Sequence, residues 1–203
     1  MKILVTGGLG FIGSHTVVEL QNEGFDVVVI DNLSNSSESV LNGIEKITSK
    51  KPNYEKIDLR DKSSVIQFFK KHNDVDGVIH FAASKAVGES VENPLLYYEN
   101  NINSIVYLLQ EIINLPKSNF IFSSSCTVYG QAEKMPITED ASVQPAISPY
   151  GNTKQIGEEI INDVAKVTNL NSILLRYFNP IGSHSSSEIG ELPIGTPQNL
   201  VPF

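Results

Sequence analysis

The sequence predicts an α/β protein with an open, doubly wound parallel sheet, and three observations support that prediction. Short apolar runs rich in β-branched residues recur along the chain, and longer stretches with helical periodicity separate them. A glycine-rich turn joins the first apolar run to the first helical stretch. Strands that alternate with helices in this way are typical of parallel sheets covered on both faces.

The predicted strands are short and mostly apolar, as expected of strands buried between two layers of helices. They are Ile3–Val5, Val27–Ile30, Tyr54–Ile57, Val75–Phe81, Phe120–Ser123 and Ser172–Leu175. The predicted helices are Ile12–Glu23, Glu38–Ser49, Lys62–Lys71, Pro94–Asn114 and Pro149–Val167. After Asn179, serine, glycine and proline crowd the sequence without a clear period, which predicts a long loop that continues to Phe203.

Composition and charge exclude several classes of function. The chain has 203 residues, a size typical of one domain, and its net charge of -8 disfavours binding to nucleic acid or acidic membranes. Cys126 is the only cysteine, so we expect neither an internal disulfide nor a metal site. The apolar run Ile3–Val5 ends too early for a signal peptide, and no tract is long enough to span a membrane, so we expect a cytoplasmic protein.

The glycine-rich turn predicts a binding site for a dinucleotide. Gly7, Gly10 and Gly13 follow a predicted strand and open a predicted helix. Gly7 permits the tight exit from the strand, Gly10 lets a pyrophosphate approach the backbone, and Gly13 lets the helix pack closely on the sheet. The N–H groups at the start of the helix favour an anion at the same point. This arrangement indicates a Rossmann-type fold with a pyrophosphate site.

Asp31 indicates which dinucleotide binds. It ends the second predicted strand, where a carboxylate can accept hydrogen bonds from the adenosine ribose hydroxyls. NADP would bring a phosphate group next to Asp31, and no Lys or Arg lies between Asn32 and Glu45 to neutralise it. The sequence therefore favours NAD over NADP.

Tyr150 and Lys154 are candidate catalytic residues at the start of the last predicted helix. Ser148 fits the N-cap and Pro149 the first helical position, which places Tyr150 and Lys154 one turn apart on the same face. An ammonium group near the phenol is expected to lower the pKa of Tyr150 and make it a general base. The same spacing also fits the start of an ordinary amphipathic helix.

A run of serines, Ser123–Ser125, follows the apolar part of a later predicted strand. It lies at the carboxyl end of that strand, and ligands of open parallel sheets bind at this edge. Its hydroxyl groups are therefore candidates to bridge a substrate and the base, although three serines can also simply end a strand.

These motifs together resemble the extended short-chain dehydrogenase/reductase family and, within it, the branch of the UDP-glucose 4-epimerases. The matching segments are GGLGFIGSH from Gly7, DNL from Asp31, HFAASKAVGES from His80, NN from Asn100, FSSSCTVYG from Phe122, SPYGNTK from Ser148, RYFNP from Arg176 and NL from Asn199. Two positions differ from the family pattern: Ser84, where an apolar residue is usual, and Cys126, where alanine is usual. Both residues are small, so we expect them to affect packing near the nicotinamide rather than the reaction.

The resemblance implies an NAD-dependent interconversion of UDP-glucose and UDP-galactose, as in galactose metabolism. Tyr150 would remove the proton from the sugar 4-hydroxyl, Ser125 would hydrogen-bond to that oxygen, and Lys154 would tune Tyr150 and hold the nicotinamide ribose. Hydride would pass to NAD, and the 4-keto sugar would turn over and take the hydride back on its other face.

The resemblance also implies two sets of binding residues. The cofactor-binding set is Gly7, Gly10, Phe11, Ile12, Gly13, Asp31, Asn32, Asn35, Ser36, Asp58, Leu59, Phe81, Ala82, Ala83, Lys85, Asn100, Ser125, Tyr150, Lys154 and Phe178. The substrate-binding set is Lys85, Ser125, Tyr150, Asn179 and Asn199. A homodimer of the full-length form is implied as well, formed by the helices predicted at Pro94–Asn114 and Pro149–Val167.

Two other functions are considered. A nucleotide-sugar 4,6-dehydratase needs an additional acid and base beside the catalytic serine, and this chain has Cys126 and Thr127 there. Neither a thiol nor a hydroxyl replaces a carboxylic acid at neutral pH, so epimerisation is favoured. A second alternative is an NAD-binding module with little or no turnover.

The length of the chain suggests that second alternative, because epimerases of this kind continue well beyond Phe203. We expect residues 1–180 to form the NAD-binding domain and residues 181–203 to begin a substrate-binding region that is largely missing. Cofactor binding with weak or absent turnover is therefore expected of the isolated chain. Acceptance of N-acetylated UDP-sugars is left open, since the residues that set the pocket volume lie mostly in the missing region.

Overall fold

The computed structural model describes residues 1–132 and 134–192, which contain a six-stranded parallel sheet. The strands are β1 (Lys2–Thr6), β2 (Asp26–Asp31), β3 (Asn53–Lys56), β4 (Gly77–His80), β5 (Asn119–Ser125) and β6 (Asn171–Tyr177). Their order across the sheet is β3-β2-β1-β4-β5-β6, and every adjacent pair is parallel. The predicted fold class is therefore confirmed.

Helices cover both faces of this sheet. They are α1 (Phe11–Asn22), α2 (Ser39–Thr48), α3 (Lys62–Lys71), α4 (Val87–Glu92), α5 (Pro94–Ile112) and α6 (Pro149–Val167). Helix α4 and a 3₁₀ turn at Cys126–Tyr129 were not predicted, because elements this short do not display a hydrophobic period. Among the described residues, no helix is both long and apolar enough to cross a membrane.

Strand β4 is shorter than the predicted Val75–Phe81, but its hydrogen-bonded contact with β1 extends beyond its ends. The Asp76 N–H donates to the Lys2 carbonyl at 2.8 Å, and the Phe81 N–H donates to the Thr6 carbonyl at 3.0 Å. Only Val75 of the prediction lies outside this ladder. The difference therefore concerns the assignment of strand ends rather than the pairing.

Alternate residues of the central strands belong to two hydrophobic cores. Val5 and Val29 pack on the side of α1 and α2, in a core that also contains Ile44 of α2. Leu4 and Val28, their neighbours in sequence, pack on the other side with α3, α5 and α6. Because side chains alternate across a strand, this division means that each strand is buried on both faces.

The chain after β6, residues 178–192, turns back across the molecule and is called the return segment below. Ile189 is buried in the core of α1 and α2, and Glu188 forms an ion pair with Lys46 of α2 at 2.9 Å. The predicted boundary at residue 180 thus separates Ile189 from a core in which it packs. The remainder of the predicted long loop, residues 193–203, lies outside the described residues.

Two glycines of the predicted turn allow backbone segments to approach each other closely. A Cβ added to Gly13 would lie 2.2 Å from the Gly7 carbonyl oxygen. Gly7 has a φ of +66°, and a Cβ there would lie 2.7 Å from the Ala82 backbone nitrogen. The contact and positive φ at Gly7 agree with the expected tight exit from β1, whereas the contact at Gly13 lies within the turn itself rather than at the sheet.

Gly13→Ala is expected to lower the free energy of unfolding by about 2 kcal/mol or more, because the new Cβ has no room against the Gly7 carbonyl. Gly88→Ala is the matched control, since an added Cβ meets no atom within 4 Å there, and its expected effect is within about 1 kcal/mol. Urea unfolding of both variants measures this difference. Equal effects at the two sites would contradict the packing argument.

Candidate active site

The order of the strands reverses between β1 and β4, and the glycine turn lies at this point. In open parallel sheets a crevice forms where the strand order reverses, at the carboxyl ends of the strands. Gly10 is the N-cap of α1, and no side chain among residues 1–132 and 134–192 caps this helix end. The first N–H groups of α1 therefore face the crevice as donors, as an anion site requires.

Gly10 differs from the other two glycines of the turn, Gly7 and Gly13, because the packing of the fold does not exclude a side chain there. A Cβ at Gly10 would meet only the Gly7 carbonyl oxygen, at 3.3 Å, whereas added Cβ atoms at Gly7 and Gly13 collide with backbone. A side chain at this position would instead fill the space in front of the α1 amino terminus. The shape of the turn thus fits a group that must approach the backbone closely.

Asp31 lies at the carboxyl end of β2 beside the glycine turn. The residue is 6% exposed, and its Oδ1 accepts from the Leu33 N–H at 3.0 Å and from the Ser36 hydroxyl at 2.7 Å. Oδ2 accepts one bond, from the Leu9 N–H at 3.1 Å, and so has capacity for another. No ion pair to Asp31 occurs within the part of the chain that the structure describes.

Ser125, Tyr150 and Lys154 come together where β5 ends and α6 begins. The Ser125 hydroxyl lies near enough to Tyr150 to lower its pKa, and it accepts from the Thr127 N–H at 3.2 Å. Ser148 caps α6 by accepting from the Gly151 N–H at 3.1 Å, which confirms the predicted start of the helix. The parallel sheet therefore brings to one edge three side chains that are distant in sequence.

Lys154 reaches inward from α6 into a dry environment. Its ammonium donates to the Ser123 carbonyl at 2.7 Å, and it lies 4.8 Å from the centre of the Phe122 ring and 5.8 Å from that of Tyr150. Burial lowers the pKa of Lys154 from its ordinary value of 10.5 to about 8, while nearby Glu158 raises it.

The expectation that Lys154 lowers the pKa of Tyr150 is wrong for this structure. Burial raises the pKa of Tyr150 above its ordinary value, and the neighbouring Ser125 hydroxyl offsets part of that effect. The physical reason is geometric. The Lys154 ammonium is directed at the Ser123 carbonyl rather than at the phenol oxygen, and desolvation then dominates.

An asparagine that the sequence did not single out as a site residue joins the loop after β4 to α6. Asn101 accepts from the Ser84 N–H at 2.9 Å and donates to the Ser84 carbonyl and the Thr153 hydroxyl, both at 3.0 Å. The Asn100 amide donates to the Ser84 hydroxyl at 2.9 Å. Ser84, at a position expected to be apolar, thus gives Asn100 a hydrogen-bond partner.

His80 is a buried structural group at the end of β4. Its ring stacks with those of Phe120 and Phe122, at 6.0 Å from each, and Nδ1 is 2.7 Å from the Thr6 hydroxyl. Burial, assisted by the charge of Lys154, lowers the pKa of His80 to about 3. The imidazole is therefore neutral at physiological pH and adds no charge to the site.

The other predicted site residues fall into three groups. Phe11, Ile12, Asn32, Ser36, Asp58, Phe81, Ala82 and Ala83 are partly buried around the crevice, while Leu59 is buried in the core beneath it. The carboxylate of Asp58 is paired with Arg60, which lowers its pKa. Asn35, Lys85, Phe178 and Asn179 are exposed, with Lys85 paired to Glu191 of the return segment at 3.1 Å. Asn199 lies outside the described residues.

Comparison with known proteins identifies the family to which this chain belongs. The model of the NAD dependent epimerase/dehydratase family matches residues 3–192. The chain belongs to this family. Dependence of the family on NAD agrees with the cofactor predicted from the glycine turn and Asp31.

Relatives within the NAD dependent epimerase/dehydratase family are similar throughout this chain. The UDP-glucose 4-epimerase of Haemophilus influenzae is 48% identical over 204 residues, which cover 100% of this chain and 60% of that protein. The UDP-glucose 4-epimerase of Bifidobacterium longum, solved in complex with NAD+ and UDP, superposes with a TM-score of 0.94 and 45% identity over 98% of this chain and 60% of that one.

A third relative extends the same pattern. The UDP-glucose 4-epimerase of Stenotrophomonas maltophila, solved with bound NAD and formylated UDP-arabinopyranose, has a TM-score of 0.93 and 45% identity, covering 98% of this chain and 59% of that one. The similarity is to the amino-terminal portion of these enzymes. This chain spans about 60% of the length of the curated relatives it matches.

Lys154→Met is expected to change the pH dependence of stability. The unfolded lysine holds its proton up to its ordinary pKa of 10.5, whereas the folded one releases it from about 8. Between these values the unfolded state binds more protons, so the stability of the natural chain should rise with pH relative to Lys154→Met, by up to about 3 kcal/mol.

Urea unfolding at several pH values between 7 and about 10.5 measures this difference. Gly88→Ala is the control, and its difference from the natural chain should be the same at every pH. A Lys154→Met difference that is flat across the window would show that the lysine titrates normally in the folded protein.

Proposed function

We propose that this chain supplies the NAD site and the catalytic residues for the interconversion of UDP-glucose and UDP-galactose. The observation that carries the proposal is the meeting of Ser125, Tyr150 and Lys154 at the sheet edge that also holds the glycine turn. A base beside a dinucleotide site suits an oxidation at a carbon that bears a hydroxyl group. The relatives that match the whole chain are UDP-glucose 4-epimerases.

The residues of the crevice fit NAD. The uncapped start of α1 and the open position at Gly10 suit the pyrophosphate, and the free capacity of Asp31 Oδ2 suits a ribose hydroxyl. Arg60 is held by Asp58 in a bidentate pair, so it is not available to bind the additional phosphate that distinguishes NADP from NAD. NAD would supply a reversible hydride acceptor with a positive charge in its oxidised form.

In the proposed reaction the residues of this chain handle the proton. Tyr150 accepts the proton of the sugar 4-hydroxyl as the C4 hydride leaves, and returns it when the hydride is delivered to the other face. Ser125 donates a hydrogen bond to the same oxygen. Burial favours the neutral phenol, and the neighbouring Ser125 hydroxyl offsets part of that effect. The role proposed for Lys154 is to hold the nicotinamide ribose.

Dehydration is disfavoured by the groups next to Ser125. Burial raises the pKa of the Cys126 thiol, so it stays protonated and is a weak acid at neutral pH. The Thr127 hydroxyl is buried and lacks a hydrogen-bond partner within the described ranges. Neither side chain supplies the carboxylic acid that elimination of water requires.

A second candidate function is that of an NAD-binding module with little turnover. Two observations favour it. The chain covers 60% of the relatives' length, and Phe178 and Asn179, the last residues of the predicted site that the structure describes, are exposed. We expect a cytoplasmic protein in either case, and a homodimer formed through α5 and α6 in the full-length form.

Gly10→Ala is expected to weaken NAD binding about 10-fold or more with a loss of stability below about 1 kcal/mol. The added Cβ would press on one atom of the fold, the Gly7 carbonyl oxygen at 3.3 Å, and would occupy the space in front of the α1 amino terminus. Calorimetric titration with NAD measures the first effect and urea unfolding the second. Gly88→Ala is the control for both, and unchanged NAD affinity in Gly10→Ala would place the pyrophosphate elsewhere.

Incubation of the chain with NAD and UDP-galactose distinguishes the two candidate functions. If the chain is an epimerase by itself, UDP-glucose forms, and Tyr150→Phe lowers the rate by about 100-fold or more because the base is lost. NAD binding without product above the level of Tyr150→Phe favours the binding module. A chain that binds no NAD contradicts both.

A further inference from the structure

A pair of charged residues, one buried and one partly buried, joins α6 to β6 next to Lys154. Glu158 of α6 is 6% exposed and accepts a hydrogen bond from the Ser124 hydroxyl of β5. Arg176 of β6 donates to Glu158 twice, from Nε at 3.0 Å and from a terminal nitrogen at 2.7 Å. The Glu158 carboxylate therefore joins α6 to the last two strands of the sheet.

One face of α6 contacts consecutive residues of β5. Lys154 donates to the carbonyl of Ser123, Glu158 accepts from the hydroxyl of Ser124, and Tyr150 lies near enough to Ser125 for that hydroxyl to lower its pKa. Residues four apart on a helix lie one turn apart on the same face, so the contacts follow from the spacing of the three α6 residues. Any shift of α6 along β5 would break all three together.

Gly157 allows this close contact of helix and strand. A Cβ at Gly157 would lie 2.8 Å from Ile105 Cδ1 of α5 and 3.0 Å from Phe122 Cζ of β5. Helix α6 thus sits near enough for the short Ser124 side chain to reach Glu158. The packing and the polar contacts specify the same position of the helix.

Arg176 extends these contacts to the turn that follows Ser125. Its guanidinium lies 4.9 Å from the centre of the Tyr129 ring, at the end of the 3₁₀ turn Cys126–Tyr129. The paired Glu158 raises the pKa of Arg176 further above its ordinary value, so its charge is permanent. Glu158 is therefore paired with a fixed positive charge and also acts electrostatically on Lys154, one turn before it on α6.

The charges around Lys154 depend on Glu158. His80 is neutral, Cys126 and Tyr150 are protonated at neutral pH, and Arg176 is positive. Glu158 is the group whose charge favours the Lys154 ammonium, against desolvation. The Glu158 carboxylate thus offsets part of the decrease in pKa that burial causes in Lys154.

We propose that Glu158 is a positioning residue of this site, which fixes the ends of β5 and β6 against α6 and keeps the buried Lys154 in its ammonium form. Its relevance to catalysis rests on the proposed function, in which Lys154 holds the nicotinamide ribose. The state of Lys154 can be measured without any sugar turnover, so the two proposals can fail separately.

The test is a pH titration of Lys154 by NMR in the chain labelled with 13C at lysine Cε, with the resonance identified by its loss in Lys154→Met. In Glu158→Gln the titration midpoint should fall by about one pH unit or more, a tenfold loss of affinity for the proton. Glu159→Gln is the matched control, since it removes an exposed carboxylate from the next position of the same helix. Its midpoint should equal that of the natural chain.

Glu158→Gln leaves Arg176 without its partner, so a second variant removes both charges. Glu158→Gln/Arg176→Gln replaces the ion pair with two amides that can bond to each other, and the midpoint of Lys154 should still fall. A merely structural role predicts an unchanged midpoint in a folded variant, and that result would overturn the proposal. Failure of both variants to fold would also count against the role in holding the Lys154 charge.

Discussion

Every functional group described above depends on the pairing of β1 with both β2 and β4. Parallel pairing on both sides requires crossovers in opposite directions, and the order of the strands therefore reverses at this point. The reversal separates the loops that leave β1 and β4 and opens the crevice between them. Close packing at Gly7 and Gly13 then sets the α1 amino terminus at the mouth of that crevice.

A second constraint is the cost of holding charges in a dry interior. Lys154 and Glu158 both lie on the buried face of α6, and each is compensated by a group of β5 or β6. Removing one member of such a cluster exposes the desolvation cost of the others. The charge of Lys154 at the site therefore depends in part on Glu158, which is itself paired with Arg176.

Local sequence signals predicted much of the fold and part of the site. The glycine spacing, the position of Asp31 at the end of β2 and the Ser148 cap of α6 each depend on neighbours within a few residues, and the structure agrees with them. Helix α4 was missed because six residues are too few to show a period. The exposed residues of the predicted site, such as Asn35 and Phe178, were predicted from the resemblance to a family and not from a local signal.

What the sequence did not predict depends on residues distant in the chain. Glu158 meets Ser124 and Arg176 across separations of 34 and 18 residues, and Asn101 meets Thr153 across 52. The spacing of Tyr150 and Lys154 showed that they share a helix face, but the direction of the Lys154 ammonium is determined by the Ser123 carbonyl of β5. The position of Glu158, four residues after Lys154 on the same helix, was the sequence signal that could have indicated its place beside the site.

The return segment has a consequence for the order in which the chain can complete its structure. Ile189 fills the core between α1 and α2, and Lys46 and Glu188, which pair there, are 142 residues apart in sequence. The first core to be synthesised is thus among the last to be finished. During synthesis, the apolar surface of α1 and α2 that Ile189 covers stays exposed until nearly the whole described chain has left the ribosome. Contacts between residues so far apart in sequence also form slowly.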